Sequence, residues 1–429
     1  MWKTRAIKNN AIVIVYEPAN PISHSFRIYR FGVYACNCGY QPSSELKHDT
    51  KKERSRLYIS NIANILYHEN AIKRSANELE ICGYCKRIGF GRSRLDDNSF
   101  INGHFAMEDA IRNFSKQFEW EPDIEQAEQW KAVGKYIICG MGGSHLQGDV
   151  FQNAYPGFDL SVHQDYGLPG WPKEVLRKTL VIASSYSGNT EETLSSFQEA
   201  VKNGYPAAAI STGGELLNQV KQHGVPYIQI PDIGIQPRSA LGYTFKALAK
   251  MVGRDDVVKQ ATQVGKMLAE SAATFEAQGK ALAEKLHGKV PVIYASQKNY
   301  SIAYNWKIKF NETSKIPAFY NVFPELNHNE MNGYDVTDST RELAEKFHFL
   351  FLQDSVDHER IQNRMRVLEK QLQDRGLAVE VVPIEGSSPV HKIFSSLLVA
   401  DWAALQTAYN YNRDPEQVPM IEEFKKLIG

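Results

Sequence analysis

The decapeptide SSYSGNTEET, Ser184–Thr193, gathers six hydroxyl side chains around one glycine and carries no positive charge. It follows the apolar run TLVIAS and precedes the helix-like EETLSSFQEAVKNG. A turn at such a junction sets hydroxyls beside the free N–H groups of a helix N-terminus, which attracts anions. Ser185, Ser187 and Thr190 stand two and three residues apart, so their hydroxyls can converge on one anion. A helix cap needs one hydroxyl, and this stretch far exceeds that need. Neutral donors also suit turnover better than lysines, because they hold a phosphate monoester and still release it. The stretch reads as the phosphate anchor of an enzyme acting on a small phosphorylated metabolite.

A second turn, CGMGGSHLQGD (Cys139–Asp149), joins another apolar run to another helix-like segment. Gly140 and Gly142 match the start of a dinucleotide fingerprint, but His145 stands at its third glycine, and the phosphate loop of nucleotide triphosphatases is absent. Four charged residues further on invite catalytic readings: Arg238 in PRSALGY, Glu312 in FNETSK, His328 in ELNHNE and Lys392 in VHKIF. Singly each has a plainer reading. Glu312, near Lys307, Lys309 and Lys315, reads as a salt-bridged surface residue of a helix. Arg238 reads as a loop brace after Pro237, His328 as a loop histidine, and Lys392 as a lysine snorkelling beside an apolar helix face.

The elements that must position these residues follow a βαβ rhythm. KYIIC, LSVH, TLVIAS, AAAIS and PYIQIP alternate with helical segments, and Gly204 and Gly224 stand where left-handed C-caps form. A long helical stretch, Asp255–Gly288, leads to a second series of strands, VPVIYAS, KIPAFYNVF, FHFLFLQD and AVEVVPI. The fold class is therefore α/β: two successive, mainly parallel sheets flanked by helices. The segment MEDAIRNFSKQFEWEPDIEQAEQW, from Met107, reads as an amphipathic helical lead-in.

Composition bounds the class. The chain has 429 residues, 43% hydrophobic and 23% charged, with a formal net charge of zero. That balance favours neither nucleic acid nor an anionic membrane, and no apolar run approaches a membrane span. No secretory signal is evident, which points to the cytoplasm. Charge is uneven, however: residues 1–106 hold 16 Lys/Arg against 9 Asp/Glu, and the remainder 33 against 40. The front piece has one plausible strand at Asn10–Glu17 and a helix within Ser55–Glu80. Its Cys36, Cys38, Cys82 and Cys85 offer a zinc reading, but the CxC pair and long spacing favour unlinked thiols. No helix–turn–helix or aromatic-and-basic face is found there.

GMGGS, SYSGNTEET, PRSALGY, NETSKIPAF, PELNHNE and HKIFSSLLVADW, in this order, resemble the bifunctional phosphoglucose/phosphomannose isomerases of the sugar-isomerase (SIS) domain superfamily. The resemblance covers Met107–Gly429. It implies two tandem SIS domains, set at 107–265 with the lead-in and at 266–429, behind a poorly defined N-terminal extension, 1–106. It also implies interconversion of glucose 6-phosphate with fructose 6-phosphate, and of mannose 6-phosphate with the same ketose, without metal or cofactor. By the resemblance, Gly142, Gly143 and Ser144 match the first sugar-phosphate loop, and Ser185, Ser187 and Thr190 the phosphate-binding hydroxyls. Arg238 matches the arginine beside the reacting carbons and Glu312 the catalytic base. His328 and Lys392 match the groups assisting ring opening and proton transfer, with the histidine supplied across a homodimer. Family chains begin near the lead-in, so the front piece reads as lying outside the working fold, upstream sequence translated from a misassigned start or an accessory module. His145 and Gln147 depart from the family's small residues and leave substrate preference open.

The chemistry independently asks for these groups. Moving a proton between adjacent carbons through a cis-enediolate needs one base, a stabiliser of negative oxygen and an acid/base pair for the ring oxygen. The alternative from another class is a non-catalytic sugar-phosphate sensor that keeps the binding turns alone. An amino-sugar isomerase would carry an amidotransferase domain, which this chain lacks. The zinc-dependent mannose-phosphate isomerases are β-rich and metal-clustered, unlike this pattern.

Overall fold

The computed structural model describes residues 2–7, 11–16, 28–29 and 106–428. The chain divides into two compact units, Met1–Phe90 and Gly91–Gly429. In the first, strands β1 (Trp2–Ile7), β2 (Ala11–Tyr16) and β3 (Ile28–Tyr29) form an antiparallel sheet in that order. β2 coincides with the strand expected at Asn10–Glu17, whereas β1 was not anticipated. The helix expected within Ser55–Glu80 and the four front cysteines lie outside the described residues.

The second unit contains two parallel sheets. β4 (Lys135–Cys139), β5 (Leu160–His163), β6 (Thr179–Ser185), β7 (Ala207–Ser211) and β8 (Tyr227–Gln229) run in the order β5-β4-β6-β7-β8. β9 (Val290–Ser296), β10 (Phe319–Phe323), β11 (Phe347–Gln353) and β12 (Ala378–Pro383) run β10-β9-β11-β12. Each sheet thus has its first strand inside, flanked by its second and third. Such an order opens a crevice at the carboxyl ends of the first and third strands, where successive crossovers leave in opposite directions. In the first sheet those ends are β4 and β6, and the two turns singled out in the sequence follow them. Their strands are apolar and almost wholly buried, as strands covered on both faces must be.

Two expectations are corrected. The lead-in is not one helix: it is helical over 106–112, becomes a tight turn at Phe114–Glu119 and is extended at Trp120. Pro122 explains the stop, since it disfavours helix at the residue before it. The boundary at 265/266 cuts through the helix Asp255–Glu270. The two sheets' helices instead share one core, where Phe394 of the long helix Pro389–Asn410 packs edge-on against Phe118 and Phe245, with centroids 4.9 Å and 5.4 Å away. Among the described residues no helix is long and apolar enough to cross a membrane.

Candidate active site

The first turn, Gly142–Ser144, lies directly on the segment Pro237–Ser239. A Cβ on Gly143 would come within 2.8 Å of the Arg238 backbone nitrogen, so only glycine permits this approach. Ser144 Oγ accepts a hydrogen bond from the Tyr186 backbone N–H at 2.8 Å, tying the first turn to the second. The two turns and the segment of Arg238 are therefore packed together.

Within SSYSGNTEET the hydroxyls divide by role. Ser184 accepts from Gln147 Nε2 at 2.7 Å, Thr193 donates to the Ser184 carbonyl, and Tyr186 is buried in the core. Ser185 is fully buried; its hydroxyl shares a 2.8 Å hydrogen bond with Thr190 Oγ1 and accepts from the Gly188 N–H at 3.0 Å. Ser187 is exposed and Thr190 half-buried. Thr190 stands at the N-cap of the helix Glu191–Lys202 without a side-chain capping bond. Capping is thus not what its hydroxyl does, and the helix's dipole end stays available to an anion. Gly188 has φ 72°, and a Cβ there would fall 1.8 Å from the Gly213 carbonyl oxygen. The turn therefore demands glycine on two counts.

Arg238 is buried, its side chain 4% exposed, and its partners come from two segments. Nε donates to Thr313 Oγ1 at 3.1 Å, Nη2 to the carbonyls of Pro415 and Glu416 at 2.7 Å and 3.1 Å, and Nη1 faces Glu312 Oε2 at 3.4 Å. Burial pulls its pKa down and the Glu312 charge pulls it back up; a guanidinium keeps its proton in proteins regardless. Of its five N–H groups, one on Nη1 has no partner among the described residues.

Glu312 sits in a five-residue π-turn, Phe310–Ser314, that extends the helix Tyr300–Lys309. Such widened turns are rare and cluster at functional sites, because they re-aim side chains that a regular helix would point elsewhere. The plain reading of Glu312 as a lysine-paired surface residue is overturned. Lys309 is buried against Asp401 at 2.5 Å, Lys307 lies over the Tyr304 ring, and Lys315 bonds the Glu312 carbonyl rather than its carboxylate. The carboxylate, 25% exposed, is turned to Arg238.

The other two candidates stand elsewhere. His328 is exposed in the short turn Glu325–His328, beside a cleft of about 570 Å³ that also involves Asn332, Tyr334 and Arg375. Lys392 lies in the first turn of Pro389–Asn410 and donates to Asp354 Oδ1 at 2.6 Å. Asp354 follows β11, at the crevice of the second sheet, where Ser296 and Asp357 also meet at 2.9 Å. A buried carboxylate thus occupies that crevice. His145 and Gln147 follow the first turn. Both are buried: His145 Nε2 lies 3.2 Å from Asp149, and Gln147 braces Ser184. Sequence reasoning missed Thr313, Lys315 and the Pro415–Glu416 carbonyls. The first two adjoin Glu312 in the motif itself, while backbone carbonyls carry no residue-type signal.

The bacterial phospho-glucose isomerase C-terminal SIS domain family model matches residues 275–428. The bifunctional phosphoglucose/phosphomannose isomerase of Aquifex aeolicus is 34% identical over 323 residues, covering 74% of this chain and 97% of that protein. The enzyme of the same description from Caldicellulosiruptor bescii is 36% identical over 329 residues, covering 73% and 95%. Glucosamine-6-phosphate deaminase of Thermotoga maritima superposes with a TM-score of 0.55 at 15% identity, over 75% of this chain and 97% of that one, which speaks to the SIS fold alone. With relatives at 34–36% identity matched over nearly their whole length, this chain belongs to the bifunctional phosphoglucose/phosphomannose isomerase family.

Proposed function

We infer that this chain interconverts glucose 6-phosphate and fructose 6-phosphate, and mannose 6-phosphate with the same ketose. The observation that carries the mechanism is the Arg238–Glu312 contact beside the first turn. The substrate phosphate rests on Ser187 and Thr190 at the helix N-terminus, with Ser185 holding the turn. Gly142, Gly143 and Ser144 complete the floor. Phosphate binding holds the reacting carbons over Glu312, which removes a proton from one carbon and returns it to its neighbour. The remaining N–H of Arg238 donates to the enediolate oxygen as negative charge develops.

His328 belongs to this proposal through a homodimer: its exposure suits a residue that serves the site of a second copy, where it would open the sugar ring. The ion pair with Asp354 argues against a proton-transfer role for Lys392. The sensor alternative has no feature in its favour, since a binding module has no need of a carboxylate aimed by a π-turn.

A coupled assay with glucose, mannose and fructose 6-phosphates tests the reading. Wild type should turn over all three, and Glu312→Gln should lose about 10³-fold in kcat. Equal turnover by both proteins refutes the role of Glu312; no turnover of any hexose phosphate refutes the function.

A further inference from the structure

Lys315 ends the π-turn with a left-handed backbone, φ 56°. That conformation turns the chain back on itself, and Nζ donates to the carbonyl of Glu312 at 2.9 Å and to that of Thr313 at 3.4 Å. The last carbonyls of a helix have no partner within it, and here one ammonium supplies it. These two residues also carry the site's chemistry. Glu312 faces Arg238 with its carboxylate, and Thr313 accepts Arg238 Nε with its hydroxyl. A single cation therefore fixes the backbone beneath both.

We propose that Lys315 is a positioning residue for the isomerase reaction: its ammonium clamps the Glu312 and Thr313 carbonyls and so holds the π-turn that aims the base and anchors Arg238. The proposal rests on the isomerase reading above. Lys315 acts through Glu312 rather than on the sugar. Charged groups from two segments face it: Arg238 and Arg413 repel the ammonium, while Asp414 and Glu416 attract it. Burial, aided by Arg238, brings its pKa down to about 8. A charge-assisted hydrogen bond is roughly twice as strong as a neutral one, so the clamp weakens as Lys315 deprotonates and kcat acquires an alkaline limb there.

Steady-state kinetics on the full chain, from neutral to alkaline pH, test this with Lys315→Met and Lys315→Arg, and with Glu312→Gln as a separate control. Lys315→Met should lower kcat by about 30- to 100-fold with KM nearly unchanged, the scale set by a carboxylate misplaced by about 1 Å. Lys315→Arg keeps a cation on the same carbonyls and stays charged. It should retain kcat within about fivefold and move the alkaline limb up by more than about one pH unit. A lysine of merely structural use would instead lower the melting temperature of Lys315→Met and leave kcat and the limb unmoved, which overturns the proposal. An alkaline limb that stays in place in Lys315→Arg overturns it too, and that measurement decides alone if Lys315→Met fails to fold. Loss of activity in Glu312→Gln without loss in Lys315→Met sinks the clamp and spares the isomerase. Full activity in Glu312→Gln sinks both.

Discussion

Arg238 and Glu312 come from different sheets' connections, 74 positions apart in sequence, and meet at 3.4 Å between Nη1 and Oε2. That separation exceeds the roughly 2.7–2.9 Å of a strong charge-assisted bond. The guanidinium is held by Thr313 and by two carbonyls instead, so Glu312 is oriented without being locked. A carboxylate that must take and return a proton needs that freedom, and a substrate oxygen can displace so loose a contact.

Glu312→Asp keeps the charge but withdraws the carboxylate by one methylene. If placement over the carbons matters as much as charge, kcat should fall about 10²-fold with KM little changed. Comparison of kcat and KM for fructose 6-phosphate checks it; a variant within about threefold of wild type in kcat would mean that placement is unimportant.

Arg238→Lys preserves the charge and loses the fork. One ammonium cannot serve Thr313, Glu312 and two carbonyls at once, and each buried acceptor left unpaired costs about 1–3 kcal/mol. The variant should lose about 10²-fold or more in kcat and unfold at lower denaturant. Chemical denaturation beside the kinetic assay separates the two effects.

The division of hydroxyls makes a sharper test of the phosphate anchor. Ser187→Ala and Thr190→Ala remove groups at the open face of the turn, and each should raise KM several-fold, by about 1 kcal/mol of lost hydrogen bonding. Ser184→Ala instead strands Gln147 in the core, so it should lower stability by about 1–3 kcal/mol and leave KM near wild type. Inorganic phosphate as a competitive inhibitor reads the same contrast: its inhibition constant should rise in the first two variants alone.

Much of this arrangement was legible in the chain. Alternating apolar strands and helices announced two parallel sheets, because burial on both faces forces continuous apolar runs such as TLVIAS. The turns after β4 and β6 were legible because glycine and hydroxyl residues there have few other uses. Side-chain pairing was not. Glu312 has three lysines near it in sequence, yet the π-turn aims it at Arg238, and no residue type announces such a turn. Lys392 matched a motif in order, but nothing in that motif told that its ammonium bonds a carboxylate 38 residues away. Asp354 directly follows β11, and its meeting with the helix of Lys392 is a property of the folded chain.

That ion pair supports a final prediction. Burial alone would raise the pKa of Asp354, but the Lys392 hydrogen bond, with help from the Val356 N–H, holds it below the ordinary aspartate value. A carboxylate depressed in the folded state contributes stability that is present above its unfolded pKa and lost as pH falls through its folded one. Lys392→Met removes the main partner and leaves a charge that is 3% exposed with Lys298 at 3.5 Å as its one remaining cationic partner, beside the Asn299 amide and the Val356 N–H. Breaking a buried pair in this way costs about 3–5 kcal/mol. The variant should therefore be less stable at neutral pH, and the deficit should shrink below about pH 4, where Asp354 protonates in the unfolded chain as well. Its kcat, measured on folded protein at a temperature below its melting point, should stay within about threefold of wild type. A fall of about 10²-fold or more in kcat with unchanged stability would return Lys392 to the proton-transfer machinery.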